Sequence, residues 1–368
     1  MKKTVLREYA RLIVRCGVNV QKGQEVIVYA DLDQPEFVRM VVEEAYKAKA
    51  KKVTVEWSYQ PLTKVHTRYR SVTTMGTVEE WQKAKYQHEV DVVPCRIHLM
   101  SEDPDGLKGI NMEKVTKARR MSYPIIKPYQ DQLENRQQWC IAAVPGAAWA
   151  KKVFPGERTG TAMEKLWEAI LFTSRVTDDP EKAWADHDKD LQARCDYLNS
   201  LGIRSLHYTA DNGTDFTVGL IPEGRFCGGG ETARTGIFFN PNIPTEECFV
   251  SPRRGQAEGI VQAPELSGPA DRGLLHPLCR RQGRGGPRRE GRGPAQGHDL
   301  HGRGCCLPGR VRPGAPGQSH CRERPAVLQH PVRRECRTWP WAWASRIPLR
   351  TSRIRHWRSA AAWASTIP

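Results

Sequence analysis

The stretch EVIVYADLDQPEFVRMVVEEAYKAKAKKVTVEW, residues 25–57, determines the fold class of this chain. Its two ends, 25–30 and 52–57, are short runs rich in β-branched residues, which is typical of strands. Between them, apolar residues recur every four positions over 37–48, which predicts a helix. A strand, a helix and a strand within about 35 residues favour a parallel strand pair with a right-handed crossover. We therefore predict an α/β fold with a parallel sheet.

More helices and strands are expected on either side of this unit. Residues 4–15 have apolar side chains at helical spacing, and two short apolar runs, 90–93 and 140–144, continue the alternation as strands. A long helical tract over about 162–201 follows. We expect this tract to end an N-terminal α/β domain that comprises residues 1–201.

The pattern after residue 201 changes to that of a second domain, which is rich in strands. Short strands are predicted over 205–209 and 216–220, with a turn at Asp211-Asn212-Gly213 between them, and three consecutive glycines follow at 228–230. We expect residues 202–262 to be the start of an α+β domain.

Residues 263–368 form a tail whose composition no ordinary folded domain shows. The tail has 20 Arg, no Lys and 6 acidic residues, so it carries +14 of the +16 formal net charge of the chain. It also has 13 Pro and 13 Gly but no Phe, Tyr, Asn or Met. Residues 1–262 are close to neutral, with 37 Lys+Arg against 35 Asp+Glu. The positive charge is therefore a property of the tail, which we expect to be disordered.

Several familiar features are missing from the sequence. No run approaches about 18 apolar residues, so we expect no membrane span, and charged residues near the start argue against a signal peptide, which predicts a cytoplasmic protein. The six cysteines of residues 1–262 lie far apart, as is typical of reduced thiols in a cytosolic protein.

His88-Glu89 begins a zinc motif, but Val92 stands where a second histidine is needed, so we interpret His88 as a surface or helix-end histidine.

The most informative motif is FNPNIPTEECF, residues 239–249, in which two carboxylates follow a turn rich in Asn and Pro. Such a turn can hold an acid at a fixed angle, or the acids can be capping or solvated carboxylates. The motif closely resembles the NxPTEEVFT signature of the thermophilic aminopeptidase family of metallopeptidases, which contains aminopeptidases T and S. Three other stretches resemble the same family: WCIAAVPGAAWAKKVFP at 139–155, MEKLWEAILFT at 163–173 and GTDF at 213–216. The resemblance extends over residues 1–262.

This resemblance implies an aminopeptidase that removes N-terminal residues from peptides, with two divalent metal ions whose ligands all lie on the second domain. Mixed carboxylate and imidazole ligands suit Zn, Co, Mn or Mg. Carried over by position, Glu247 is the metal ligand in this motif, and Glu246 is a neighbour that orients it or only caps. The family further implies peptide substrates and a homodimer, and we expect neither a specific nucleic acid nor a membrane as a partner.

The family pattern requires four further metal ligands that this sequence lacks. They are a glutamate in an LGE(V/C)ALVP stretch, a histidine in DENAxxH, and a histidine and an aspartate in an IHxDFM-like stretch. All are due after residue 262, where the tail begins. A composition rich in Arg, Gly and Pro is what GC-rich coding DNA yields when it is read in the wrong phase.

When the tail is translated in a neighbouring reading frame, it yields amino-acid sequence that resembles the family. With permissible codons, residues 269–281 read one nucleotide later give QLIEDFYIRFVDG, and residues 301–315 give MDEGAAYLGECALVP. Residues 321–336 give AASGLLFYNTLFDENA, and a second slip after Cys336 gives HLALGMGFPNT. Chance does not account for agreement over several segments, so we predict that the tail is an off-frame translation.

Two hypotheses of different class follow for the chain as written. In the first, the chain is a metallo-aminopeptidase by descent that keeps one of five metal ligands, so it is inactive, and its strands within 205–239 have unpaired edges. In the second, the arginine-rich tail, with Arg284-Gly285-Gly286, binds RNA or other polyanions electrostatically. We favour the first, because the tail has few aromatic residues among its arginines, and an accidental polycation binds nucleic acid without specificity.

Overall fold

The computed structural model describes residues 1–211, 213–262 and 275–278. The chain divides into two units. The first unit contains Met1–Leu201 and Arg225–Phe249, and the second contains Gly202–Gly224 and the chain from Val250 onward. The sequence assigned residues 225–249 to the second domain, whereas in the structure they lie in the first unit.

A parallel five-stranded sheet forms the centre of the first unit, with the spatial order β10-β4-β3-β1-β2. Its strands are β1 (Glu25–Asp31), β2 (Lys52–Ser58), β3 (Cys95–Met100), β4 (Trp139–Ala143) and β10 (Asn242–Ile243). Two short antiparallel pairs also lie in the first unit: β7 (Cys227–Gly228) with β11 (Cys248–Phe249), and β8 (Glu231–Thr232) with β9 (Phe238–Phe239). In the register, Val28 of β1 lies opposite Val55 of β2 on one side and Ile97 of β3 on the other. The predicted β-α-β unit and the parallel sheet are confirmed.

Nine α-helices occur in the described part of the first unit. They are α1 (Lys3–Leu12), α2 (Pro35–Lys47), α3 (Gln60–Tyr69), α4 (Val72–Gly76), α5 (Glu80–Val92), α6 (Met112–Leu133), α7 (Ala147–Val153), α8 (Thr159–Thr173) and α9 (Pro180–Ser200). A π-helical turn, Ile13–Gly17, continues α1. The predicted single helical tract over 162–201 is two helices, because Asp179 caps a new helix by accepting a hydrogen bond from the Lys182 backbone N–H at 3.0 Å, and Pro180 occupies its first position.

The prediction of a strand over 90–93 is wrong. Residues 90–92 form the last turn of α5, which begins with a capping box between Glu79 and Gln82. Val93 then adopts a left-handed conformation with φ of 48° and ends the helix, and the strand begins two residues later at Cys95. An apolar run of four residues fits a helix end and a strand equally well, so periodicity could not separate them.

The core of the first unit lies between the sheet and helices α1, α2 and α8. Tyr9, Phe37 and Trp167 are buried together there, with ring centroids 5.5 Å apart for Tyr9 and Phe37 and 5.3 Å apart for Phe37 and Trp167. The Tyr9 hydroxyl donates to the Ala143 carbonyl of β4 at 3.0 Å, which satisfies its polar end inside the core. Burial raises the pKa of Tyr9 above its usual value.

The second unit contains an antiparallel sheet with the order β13-β12-β6-β5. Its strands are β5 (Ser205–Thr209), β6 (Asp215–Leu220), β12 (Pro252–Gln262) and β13 (Leu275–Leu278). Four of the five residues of β5 are exposed, and only Leu220 of β6 is buried. The strands predicted over 205–209 and 216–220 agree with β5 and β6.

The arginine-rich tail is described only at Leu275–Leu278. These four residues form β13, which pairs with the end of β12. Backbone pairing along a strand edge needs no particular side chains. The expectation for the rest of 263–368 lies outside the described residues. No helix in the described part of the chain is long and apolar enough to cross a membrane.

Candidate functional site

The motif at residues 239–249, here named the motif loop, lies in the first unit. Its residues Asn242–Ile243 form β10, which adds to the edge of the parallel sheet beside β4. Its end, Cys248–Phe249 (β11), pairs antiparallel with Cys227–Gly228 (β7). Sheet pairing at both ends thus attaches the motif loop to the first unit, and the prediction that the metal ligands lie on the second domain stays a prediction.

The beginning of the motif loop is bound to the π-helical turn. The backbone N–H of Asn240 donates to the carbonyls of Cys16 at 3.0 Å and Gly17 at 2.8 Å. A Cβ atom at Gly17 would lie 2.8 Å from Cys140 Sγ and 3.3 Å from Ile243 Cδ1, so only glycine permits this approach. Asn240 itself is 3 % exposed, and its side-chain amide donates to Asp188 Oδ2 at 3.2 Å.

The middle of the motif loop is bound to α9 by a histidine. His187 Nε2 lies 2.7 Å from the carbonyl oxygen of Thr245. Because a carbonyl oxygen can only accept, the hydrogen is on Nε2, and His187 donates it. The His187 side chain is 9 % exposed and meets the Trp184 ring edge-on, with centroids 5.7 Å apart. The histidine is therefore fixed on two sides.

The two carboxylates of the motif have different surroundings. Glu246 Oε1 accepts a hydrogen bond from Arg175 Nη1 at 2.6 Å in an ion pair. Glu247 is exposed, and among the described residues its carboxylate has no hydrogen bond or ion pair. Of the two, Glu247 is thus the carboxylate without a partner among the described residues, and its role as a metal ligand stays a prediction.

The described residues do not fit a metal centre. They contain no group of three or more His, Cys, Asp or Glu side chains that could hold a metal ion. Three histidines have partners among the described residues: His187 donates to Thr245, His88 lies 3.0 Å from Glu25 Oε2, and His207 lies 2.7 Å from Asp215 Oδ1. A stable site needs about four ligands, so Glu247 alone cannot form one.

Asp188 lies beside His187 and has an unusual environment. Burial raises the pKa of its carboxyl, although the hydrogen bond from Asn240 opposes the shift. Within the described residues its Oδ1 has no hydrogen-bond partner, and neither has Asn240 Oδ1. The Asp188 carboxyl therefore connects α9 to the start of the motif loop, although its burial destabilises the charged form of the carboxyl.

Sequence analysis did not single out Arg175, His187 or Asp188. All three contact the motif loop from the region that was predicted only as a helical tract. The adjacent pair His187-Asp188 on a helix was the one available signal, but helical periodicity does not say which distant segment a helix face contacts. These contacts join residues between 52 and 71 positions apart in the sequence.

Comparison with known proteins identifies relatives of most of this chain. Residues 2–266 match the model of the thermophilic metalloprotease (M29) family. The chain is 34 % identical to aminopeptidase AmpS of Bacillus subtilis over an alignment of 260 residues. This alignment covers 70 % of this chain and 63 % of that protein. It is also 34 % identical to aminopeptidase T of Thermus thermophilus over an alignment of 264 residues. That alignment covers 71 % of this chain and 64 % of the relative.

A solved structure gives the same relationship. The chain superposes on wild-type AmpT from Thermus thermophilus with a TM-score of 0.63 and 33 % sequence identity, over 71 % of this chain and 65 % of that one. In each case the chain spans slightly less than two thirds of the relative's length. The family match ends at residue 266, four residues into the arginine-rich tail. The chain belongs to the thermophilic metalloprotease family M29.

Proposed function

We propose that this chain carries the N-terminal part of a metallo-aminopeptidase together with one of its metal ligands, Glu247, and that the chain as written is catalytically inactive. The intact enzyme would remove N-terminal residues from peptides with the help of two divalent ions. The observation that carries the proposal is the family match over 2–266, combined with the lack of a metal-binding group in the described residues. A single exposed carboxylate binds divalent ions too weakly to retain them.

The origin of the inactivity is a change of reading phase near residue 262. The family match ends at residue 266, close to the point where the composition changes to arginine, glycine and proline. The matched part makes up 63 % of the length of the first relative and 64 % of the second, so about a third of each lies outside the match. The text recovered from a neighbouring phase contains the glutamate of LGECALVP and, after the second slip, a histidine that directly follows DENA, where the family pattern has two residues between them.

An aminopeptidase assay on matched proteins tests the proposal. The 368-residue chain is compared with a phase-restored protein, in which both phase changes are corrected and the reading continues through the last histidine and aspartate of the family pattern. Both proteins are assayed on aminoacyl-p-nitroanilides with added Co or Zn. We expect turnover by the phase-restored protein only, and its loss, together with loss of bound metal, when Glu247→Gln is introduced into that protein. The matched control is Glu246→Gln, which should keep most of the activity. Robust turnover by the 368-residue chain would contradict the proposal.

No observation among the described residues supports RNA binding by the tail, whose residues lie outside the described part of the chain except for the four of β13.

A further inference from the structure

Two thiols of the first unit meet where α9 contacts the end of the motif loop. Cys195 lies near the end of α9 and is 1 % exposed, whereas Cys248 begins β11 and is partly exposed. The Cys248 thiol donates to the Leu191 carbonyl at 3.9 Å. Because Leu191 lies about one helical turn before Cys195, Cys248 contacts the part of α9 that carries the second thiol.

Gly228 of β7 makes room for the sulfur atom of Cys195. In the register of the two strands, Gly228 lies directly opposite Cys248. A Cβ atom at Gly228 would lie 3.3 Å from Cys195 Sγ and 3.5 Å from Cys248 Cα. Directly opposed residues of paired strands project from the same face, so the Cys248 side chain leaves β11 on the face that Cys195 approaches.

A third cysteine, Cys227, is close in sequence to Gly228 but is placed differently. It is exposed and lies opposite Phe249, and its Sγ atom is 3.6 Å from the Arg225 carbonyl. Because successive side chains of a strand alternate between the two faces, Cys227 and Cys248 project from opposite faces of the strand pair. Of the three cysteines, Cys195 and Cys248 are therefore the two that can pair.

The two thiols differ in how readily they react. Burial, followed by a hydrogen bond with the Cys248 side chain, raises the pKa of the Cys195 thiol to about 12. Such a thiol is protonated at neutral pH, and a protonated thiol is a poor nucleophile. Cys248 is also the more exposed of the two, so an oxidant reaches it first.

We propose that Cys195 and Cys248 are a site of reversible oxidation, at which a hydroperoxide converts the two thiols to a disulfide that links α9 to β11. Disulfides that form in a reducing compartment are usually transient, and this one would form only on exposure to the oxidant. The inference needs no metal ion and does not depend on the function proposed above.

The oxidation takes place in two steps, in which the thiols lose two electrons and the peroxide gains them. The Cys248 thiolate attacks one oxygen of hydrogen peroxide, the O–O bond breaks, and the departing hydroxide takes up the proton that the thiol has lost. The Cys195 sulfur then attacks the sulfenic acid on Cys248, the S–O bond breaks, and the second hydroxide takes up the Cys195 proton. Two thiols and one peroxide thus give one disulfide and two water molecules.

Peptide mapping of the 368-residue chain tests the proposal, because trypsin places the three cysteines on separate peptides, 195–204, 226–234 and 235–253. The reduced chain is treated with hydrogen peroxide, free thiols are blocked with N-ethylmaleimide, and the peptides are identified by mass spectrometry. We expect peptide 195–204 joined to 235–253 to be at least about tenfold more abundant than either one joined to any other cysteine peptide, because neighbouring thiols react as an intramolecular pair. Dithiothreitol should release the two peptides.

Substitutions of single cysteines test the order of the two steps. In Cys195→Ala the oxidation of Cys248 should stop at the sulfenic acid, which dimedone labels, whereas in Cys248→Val dimedone should not label Cys195. The control is Cys227→Ser, which should not change the yield of the linked peptides. Cys95 on β3 is 0 % exposed, so its protection from N-ethylmaleimide reports that the first unit of each variant is folded.

Three results would overturn the proposal. The first is the absence of the linked peptides from a chain in which Cys95 stays protected, and the second is a predominant link from Cys195 or Cys248 to any other cysteine. The third is equal labelling of Cys248 by dimedone in the unsubstituted chain and in Cys195→Ala. If a variant loses protection at Cys95, the mapping of the unsubstituted chain decides.

Discussion

The two units of this chain differ in how much side-chain surface their described residues bury. In the first unit, Phe37 and Trp184 are at most 2 % exposed, and the parallel sheet is packed against helices. In the second unit, Leu220 is the one buried apolar side chain among the residues whose side chains are described, and Tyr208 on β5 is 45 % exposed. The first unit thus contains an α/β core, whereas the described side chains of the second unit bury little apolar surface.

Among the variants that test this difference between the two units, Phe37→Ala is expected to have the largest effect. Phe37 packs between Tyr9 and Trp167, so its truncation leaves a cavity and should lower the free energy of unfolding of the first unit by about 3–5 kcal/mol. The matched change in the second unit is Tyr208→Ala, which removes a ring stacked 4.8 Å from Phe216 and should cost about 1 kcal/mol or less. Denaturant unfolding of both variants measures the difference. Equal losses would show that the second unit has a core of its own.

Gly17→Ala tests the close contact between the π-helical turn and the motif loop. The added methyl group would lie 2.8 Å from Cys140 Sγ, so we expect a loss of about 1–3 kcal/mol in the free energy of unfolding. The control is Gly160→Ala in α8, where nothing lies within 4 Å of the new atom and the helix should gain slightly in stability. If thermal unfolding shows both variants to be equally stable, the loop is not packed as described.

Asp179→Ala addresses the start of α9, the helix that supports the motif loop. The Asp179 carboxylate accepts from the Lys182 backbone N–H, and loss of this cap should cost about 1 kcal/mol in the free energy of unfolding. Asp179→Ser retains an acceptor and should be close to neutral. Hydrogen exchange of the first turn of α9 reports the effect locally. Unchanged protection in the alanine variant would mean that the cap does not stabilise α9.

The smallest effect is expected at the surface pair of Glu25 and His88. The hydrogen bond with His88 holds the pKa of Glu25 below its usual value. Because the pKa is lowered in the folded state, the resulting stability is present above the pKa of the unfolded chain and is lost as the pH falls through the folded value. His88→Ala should remove less than about 1 kcal/mol. Unfolding of both proteins from pH 7 to pH 3 checks this, and a difference that persists at the lowest pH would contradict it.

Much of the fold could be predicted from local patterns. The β-branched runs and the helix between them in residues 25–57 specified the parallel unit, because both periodicities are clear there. The run at 90–93 was too short to distinguish a strand from the last turn of α5. The break in the helical tract before Asp179 carried a capping residue and a proline, a signal that sequence analysis could have used.

The candidate site could be predicted only in part. Glu247 came from resemblance to a family motif, not from the physical chemistry of the residues. The assignment of the motif loop to the first unit, and its contacts with Arg175 and His187, depend on strand pairing and on hydrogen bonds across more than 50 residues. Local propensities carry no information on such distant pairings, so these features required the structure.

We propose that the metal ligands are missing because the reading phase changes near residue 262 and again near Cys336. Sequencing the gene across the codons for Gln262 and Cys336 tests this proposal. We predict that a neighbouring phase encodes uninterrupted family text, including LGECALVP and DENA followed by histidine. A coding sequence whose neighbouring phases contain no such text would contradict the account.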